Sequence, residues 1–125
     1  DVLNRVLPVM LEFNVSGEES KYGWPAWDEA DWDRLLPDVE AVLSLPRLAV
    51  CGLMTMPPLC QDPQKARPYF KRLRLLRDFL AARFSEKYFR DLSMGTSIDF
   101  EAAVQEGATL VRIGEAILGP RPRKG

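Results

Sequence analysis

Four apolar runs punctuate the chain, residues 8–15, 48–56, 89–94 and 108–113, each long enough for a strand and too short for a helix. The runs are continuous rather than alternating, the pattern of strands covered on both faces of a parallel sheet. Between them the period changes to that of a helix. Leu36, Val39, Val42 and Leu43 share one face over residues 35–45, which predicts a helix beginning near Pro37, with residues 27–34 as a separate turn. Asp62 is an N-cap candidate followed by Pro63 at the first helical position. The stripe Ala66, Phe70, Leu73, Leu76, Leu80 and Phe84 continues from there as a long amphipathic helix, with Pro68 disturbing its first turns. A third helix is expected from Thr96, where Asp99 completes a capping-box pattern, to Gly107 at a left-handed C′ position. Gly114 then opens a fourth, very short helix.

Strand and helix alternating four times predict the α/β class, with parallel strands and helices packed outside them. Such a sheet is either doubly wound or half of a (β/α)8 barrel, and its open edges invite pairing with another chain, so a homo-oligomer through those edges is expected. Composition narrows the partners. With 125 residues, 46% of them hydrophobic, the chain is a single soluble domain. A net charge of -1 and basic clusters confined to residues 71–77 and 121–124, read as a solvated helix face and a tail, argue against nucleic acid. No apolar run reaches the roughly 20 residues that span a bilayer, and no signal pattern opens the chain, so no membrane partner and a cytoplasmic location are expected. Cys51 in a strand and Cys60 in a Pro-rich loop fit two free thiols. The absence of histidine excludes His-based triads and most zinc sites, so no metal site is expected. Chemistry must come from hydroxyls, backbone amides, carboxylates, arginine or a cofactor.

The stretch LSMGTSIDFEAAVQEGATLVRIGEAILG, residues 92–119, holds the candidates. In barrels of this kind ligands sit at the C-terminal ends of the strands, and phosphate is often held by the loops after the last two. Ser93, Gly95 and Ser97 offer hydroxyls and amides on one turn, and Gly114 and Glu115 offer amides on the next, so two helix starts can converge on one dianion. The alternative is that both turns merely cap helices. Arg112, between Val111 and Ile113, needs a partner in the barrel mouth, or else an ion pair with Glu106 or Glu115. Asn14, at the first strand's end, is read as a turn former rather than a ligand contact. Met54 and Met56 read as packing, Trp24, Trp27 and Trp32 as a local hydrophobic cover, and Lys71, Arg72, Arg74 and Arg77 as the outer face of the long helix.

The segments NVSGEESKYG, GLMTMPP, ARPYFKRLRLLRD and the 92–119 stretch, in that order, resemble the pyridoxal phosphate homeostasis protein family, itself similar to the barrel domain of bacterial alanine racemase. The resemblance covers only the C-terminal half of such proteins. It implies half of a TIM (β/α)8 barrel, without the upstream half that carries the Schiff-base lysine; Lys21 does not correspond to that lysine. It also implies pyridoxal 5′-phosphate as cofactor of the full-length protein, with Ser93, Gly95, Ser97, Gly114 and Glu115 around its phosphate and Arg112 facing its pyridine nitrogen. A guanidinium only donates hydrogen bonds, so the ring nitrogen opposite it stays unprotonated and the ring is a weaker electron sink. The implied function is non-catalytic binding of pyridoxal phosphate in intracellular homeostasis, with recipient proteins unidentified. This chain alone would take phosphate or sulfate. The competing implication is the barrel domain of a pyridoxal-phosphate-dependent racemase or decarboxylase.

Overall fold

In the computed structural model residues 6–17, 23–56 and 62–112 are described, Arg112 by its backbone. Strands β1 (Leu7–Asn14), β2 (Trp24–Pro25), β3 (Leu48–Met54), β4 (Asp91–Thr96) and β5 (Leu110–Arg112) form one parallel sheet in the order β2-β1-β3-β4-β5. Helices α1 (Trp32–Leu43), α2 (Pro63–Arg83) and α3 (Phe100–Gln105) make the connections β1 to β3, β3 to β4 and β4 to β5. Successive long strands are spatial neighbours and never reverse direction of travel. With right-handed crossovers that order puts all three helices on one face. The register agrees: Leu11, Leu53 and Leu92 align as a fully covered row, whereas the next row, Glu12, Met54, Ser93 and Leu110, is only partly covered. Leu110 is 49% exposed. Among the described residues the sheet is therefore singly wound, with helices over one face and none over the other.

Local chemistry explains the helices. Asp62 caps α2 as its spacing predicts, its carboxylate accepting the Gln64 amide at 2.9 Å with Pro63 first in the helix. Ala66, Phe70, Leu73, Leu76 and Leu80 are completely buried along its inner stripe, and Phe84 closes it half-buried. At the end of α3, Gly107 adopts φ 107°, with its amide donating to Val104 O at 3.0 Å and the Ala108 amide to Ala103 O at 2.9 Å. That pair of bonds is a Schellman motif.

Several element boundaries differ from those the sequence predicts. Helix α1 begins at Trp32, directly after a 3-10 turn at Glu29–Asp31, and runs through Pro37; α2 likewise runs through Pro68. Both prolines are exposed, as are Asp33 and Gln64, whose carbonyls the missing N–H groups would have used, so water can satisfy them. The buried face of α1 accordingly centres on Trp32, Leu35 and Val39. Helix α3 begins at Phe100 rather than Thr96, because residues 97–99 form a turn in which the Asp99 carboxylate accepts the Thr96 amide at 2.7 Å. Half the capping box forms, one turn earlier than the helix. Strand β2 was not expected, since two residues carry no period. In the fourth run Ala108 and Thr109 precede the strand Leu110–Arg112, and Ile113 and the expected helix at Gly114 lie outside the described residues.

Candidate functional site: the turn at the end of strand β4

Strand β4 ends in an irregularity that a glycine creates. Ser93 pairs with Leu110 and Thr96 with Arg112, so three steps along β4 match two along β5. The extra residue is absorbed where Gly95 takes φ 104°. A Cβ on Gly95 would stand 2.7 Å from the Ala103 Cβ and 3.3 Å from Val111 Cγ1, so α3 and β5 close onto the bare backbone. Ser93 lies on the open-face row, half-buried, and Ser97 follows in the turn, also half-buried. Within the turn the Thr96 hydroxyl donates to Asp99 Oδ1 at 3.2 Å and accepts the Ile98 amide at 3.3 Å. The Ser93 and Ser97 hydroxyls and the Ser97 amide bond to no described residue. Of the six candidates, Ser93 and Gly95 lie in β4 and Ser97 in the turn that follows it. The backbone of Arg112 stands beside it, opposite Thr96; its side chain, Gly114 and Glu115 lie outside the described residues.

Neighbouring strand ends are tied to this turn by buried polar groups. Thr55, 1% exposed, donates its amide to Ser93 O at 3.1 Å and its hydroxyl to Phe13 O at 2.7 Å. Sequence reading missed it because Thr55 sits inside an apolar run; a hydroxyl in such a run was the available signal. Asn14 Oδ1 accepts both the Ser16 amide, at 3.0 Å, and the Ser16 hydroxyl, at 2.8 Å, the Asx turn its position suggested. Met54 is half-buried on the open-face row, but Met56 is 47% exposed, at the rim rather than in the packing.

Away from the turn, the remaining candidates are structural. Trp24 packs against Phe13 at 5.4 Å and Trp32 against Phe79 at 5.5 Å, both tilted, and Trp27 meets Tyr69 edge to face at 5.9 Å, a local cover as expected. The arginines of α2 are not a simply solvated face. Arg72 lies 5.0 Å from the Trp27 ring and pairs with Glu29 at 2.8 Å, Arg77 pairs with Asp78 at 2.9 Å, and Arg74 reaches Glu106 at 3.3 Å. Arg67 takes the other Glu106 oxygen at 3.0 Å. Glu106, one of two acidic partners considered for Arg112, is therefore committed to α2. Cys51 is the extra residue of a bulge between β1 and β3, its thiol donating to Val9 O at 3.4 Å. Burial, then the nearby Asp91 carboxylate, pushes that thiol's pKa up against the opposing backbone hydrogen bond. Cys60 lies outside the described residues. A cavity of about 570 Å³ opens among Arg77, Glu86, Phe89 and Arg90, at the opposite end of β4 from the serines. A groove of about 350 Å³ between α2 and α3 reaches Ser97 from the helix side. Among the described residues no helix is long and apolar enough to cross a membrane.

A parallel five-stranded sheet with helices between its strands places the chain among the α/β proteins. Comparison with known proteins makes the assignment narrower. The chain is 45% identical over 118 residues to the pyridoxal phosphate homeostasis protein of Aquifex aeolicus, covering 94% of this chain and 49% of that protein. It is 44% identical over 117 residues to that of Pseudomonas aeruginosa, covering 92% of this chain and 45% of the relative. Among solved structures, PipY of Synechococcus elongatus without pyridoxal phosphate aligns with a TM-score of 0.71 at 30% identity, over 89% of this chain and 49% of PipY. The same protein with pyridoxal phosphate bound aligns with a TM-score of 0.67 at 28% identity, over 89% and 48%. No family model matches. The chain is similar to proteins of the pyridoxal phosphate homeostasis family and spans about half the length of the curated relatives it matches.

Proposed function

We propose that this chain is the C-terminal half of a (β/α)8 barrel and supplies the phosphate-binding side of a non-catalytic, intracellular pyridoxal 5′-phosphate carrier. The observation that carries the reading is the turn at the end of β4, where two serine hydroxyls and the Ser97 amide are left unspent. That donor set fits a phosphate group. A phosphate oxygen accepts what serine hydroxyls and turn amides give. Helix α3 has six residues, so its dipole adds little and the turn itself provides the binding.

In this reading Ser93, Gly95 and Ser97 hold the phosphate from β4, and Gly114 and Glu115 hold it through their backbone from the next turn. Arg112 donates to the pyridine nitrogen and keeps it unprotonated. Bound pyridoxal phosphate supplies an electrophilic aldehyde and an electron-withdrawing ring; an arginine partner weakens the second of these, which favours carriage over carbanion chemistry. Among the described lysines, Lys65 and Lys71 stand on α2 and Lys87 in the turn after it. In this reading the chain binds through the phosphate group rather than by a covalent bond.

The test compares pyridoxal 5′-phosphate with pyridoxal, which lacks the phosphate, by calorimetric titration. Binding of the first and not the second, weakened by Ser93→Ala and Ser97→Ala and competed by inorganic phosphate, is expected. Equal binding of both compounds would exclude the phosphate turn as the anchor. Arg112→Glu is expected to leave phosphate competition intact while changing the pH dependence of the bound chromophore.

A further inference from the structure

We propose that Thr55 is a positioning residue for the turn at the end of β4, holding Ser93 at the height from which the serines address an anion; this rests on the reading that the turn binds phosphate. The paired ladder between β3 and β4 ends at Met54 and Ser93, and that between β1 and β3 at Glu12 and Met54. Thr55 is the next residue, and among the described residues its two bonds are the last cross-strand ties made from the end of β3. Its amide fixes the Ser93 carbonyl at 3.1 Å, two residues before the Gly95 bulge. Its hydroxyl fixes the Phe13 carbonyl at 2.7 Å, 42 residues away in sequence. The tie continues outward, because the Ala26 amide donates to Asn14 O at 2.8 Å and Trp32 Nε1 donates to Ala26 O at 2.8 Å. A row of hydrogen bonds thus runs from α1 across the ends of β1 and β3 to the turn, and Thr55 is the member that spans two strands with one residue.

The side-chain type suits this task. A β-branched residue has a restricted χ1, so its hydroxyl is aimed without much loss of freedom, and at 1% exposure water cannot substitute for it. Valine keeps the shape and removes the donor, whereas serine keeps the donor and loses a methyl group.

Thr55→Val and Thr55→Ser are compared with the intact chain, beside Val39→Ala as a core variant remote from the turn. Two readouts are taken: amide hydrogen exchange over residues 93–97 without ligand, and the affinity for inorganic phosphate. Thr55→Val is expected to accelerate exchange over residues 93–97 and to weaken phosphate binding roughly three- to tenfold, the effect of one lost hydrogen bond. Thr55→Ser should retain most of both, and Val39→Ala should alter melting temperature without selectively loosening the turn. Thr55→Val behaving like Val39→Ala, or serine failing to rescue what valine loses, would overturn the proposal. Absence of phosphate binding by the intact chain would overturn the phosphate reading alone, since the exchange comparison still decides whether Thr55 holds the turn.

Discussion

Gly95→Ala separates two costs that the structure places at one atom. Gly95 has φ 104° and Gly107 φ 107°, so alanine meets nearly the same φ at both. Around Gly107 the nearest atom to an added Cβ is Arg74 Cδ at 3.4 Å, the end of a flexible side chain, whereas at Gly95 it is the Ala103 Cβ at 2.7 Å. The left-handed conformation alone costs a non-glycine residue about 1–2 kcal/mol. Forcing a methyl group into a packed contact adds about 1–3 kcal/mol. Gly107→Ala should therefore lose about 1–2 kcal/mol and Gly95→Ala about 2–5 kcal/mol, the latter a fall of about 8–20 °C in melting temperature for a domain of this size. Replacing Ala103 by glycine in the Gly95→Ala background should recover part of the difference and leave the dihedral cost. Urea denaturation of the four proteins gives these values. If Gly95→Ala proves no worse than Gly107→Ala, α3 does not close on the turn as described.

Leu73→Ala, in the fully buried stripe of α2, should cost about 2–5 kcal/mol by the same measurement. Glu106→Gln removes both ion pairs to α2, but the arginines are 28% and 37% exposed, so the loss should be no more than about 1 kcal/mol and should shrink in high salt. The Cys51 pKa is raised mainly by burial, so its alkylation, followed by mass spectrometry of its own peptide, should rise only at a pH above the ordinary thiol range. The same shift has a sign for stability: as pH climbs past the unfolded thiol's pKa the unfolded chain loses its proton first, so this contribution is full below that point and is lost through the folded pKa. Asp91→Asn should move the alkylation profile toward lower pH.

Much of the fold was written in short-range chemistry. Asp62 before Pro63 and Gly107 after α3 each carry a cap whose geometry depends on a few neighbouring residues, and both caps form where the spacing puts them. The start of α1 was not legible, because Pro37 argues against a helix passing through it unless its exposed side faces water, and exposure is a tertiary property. Strand β2 depends on Phe13 and Asn14 being nearby, which no local pattern encodes. The same holds at the site. The serines and Gly95 could be picked out by type and spacing, but the Thr55 tie links residues 42 apart and was hidden by its apolar neighbours. Arg72, Arg74 and Arg77 read as a solvated face for a similar reason: their acceptors and aromatic neighbours include residues brought in by other elements.

The claim that the turn at the end of β4 is an anion site is tested most directly by following backbone amide resonances of the 15N-labelled chain during titration with inorganic phosphate. Saturable shifts centred on residues 93–97, lost in the Ser93→Ala, Ser97→Ala double variant, are expected. Shifts centred instead on Arg77 and Arg90, at the far end of β4, or none at the serines, would contradict it.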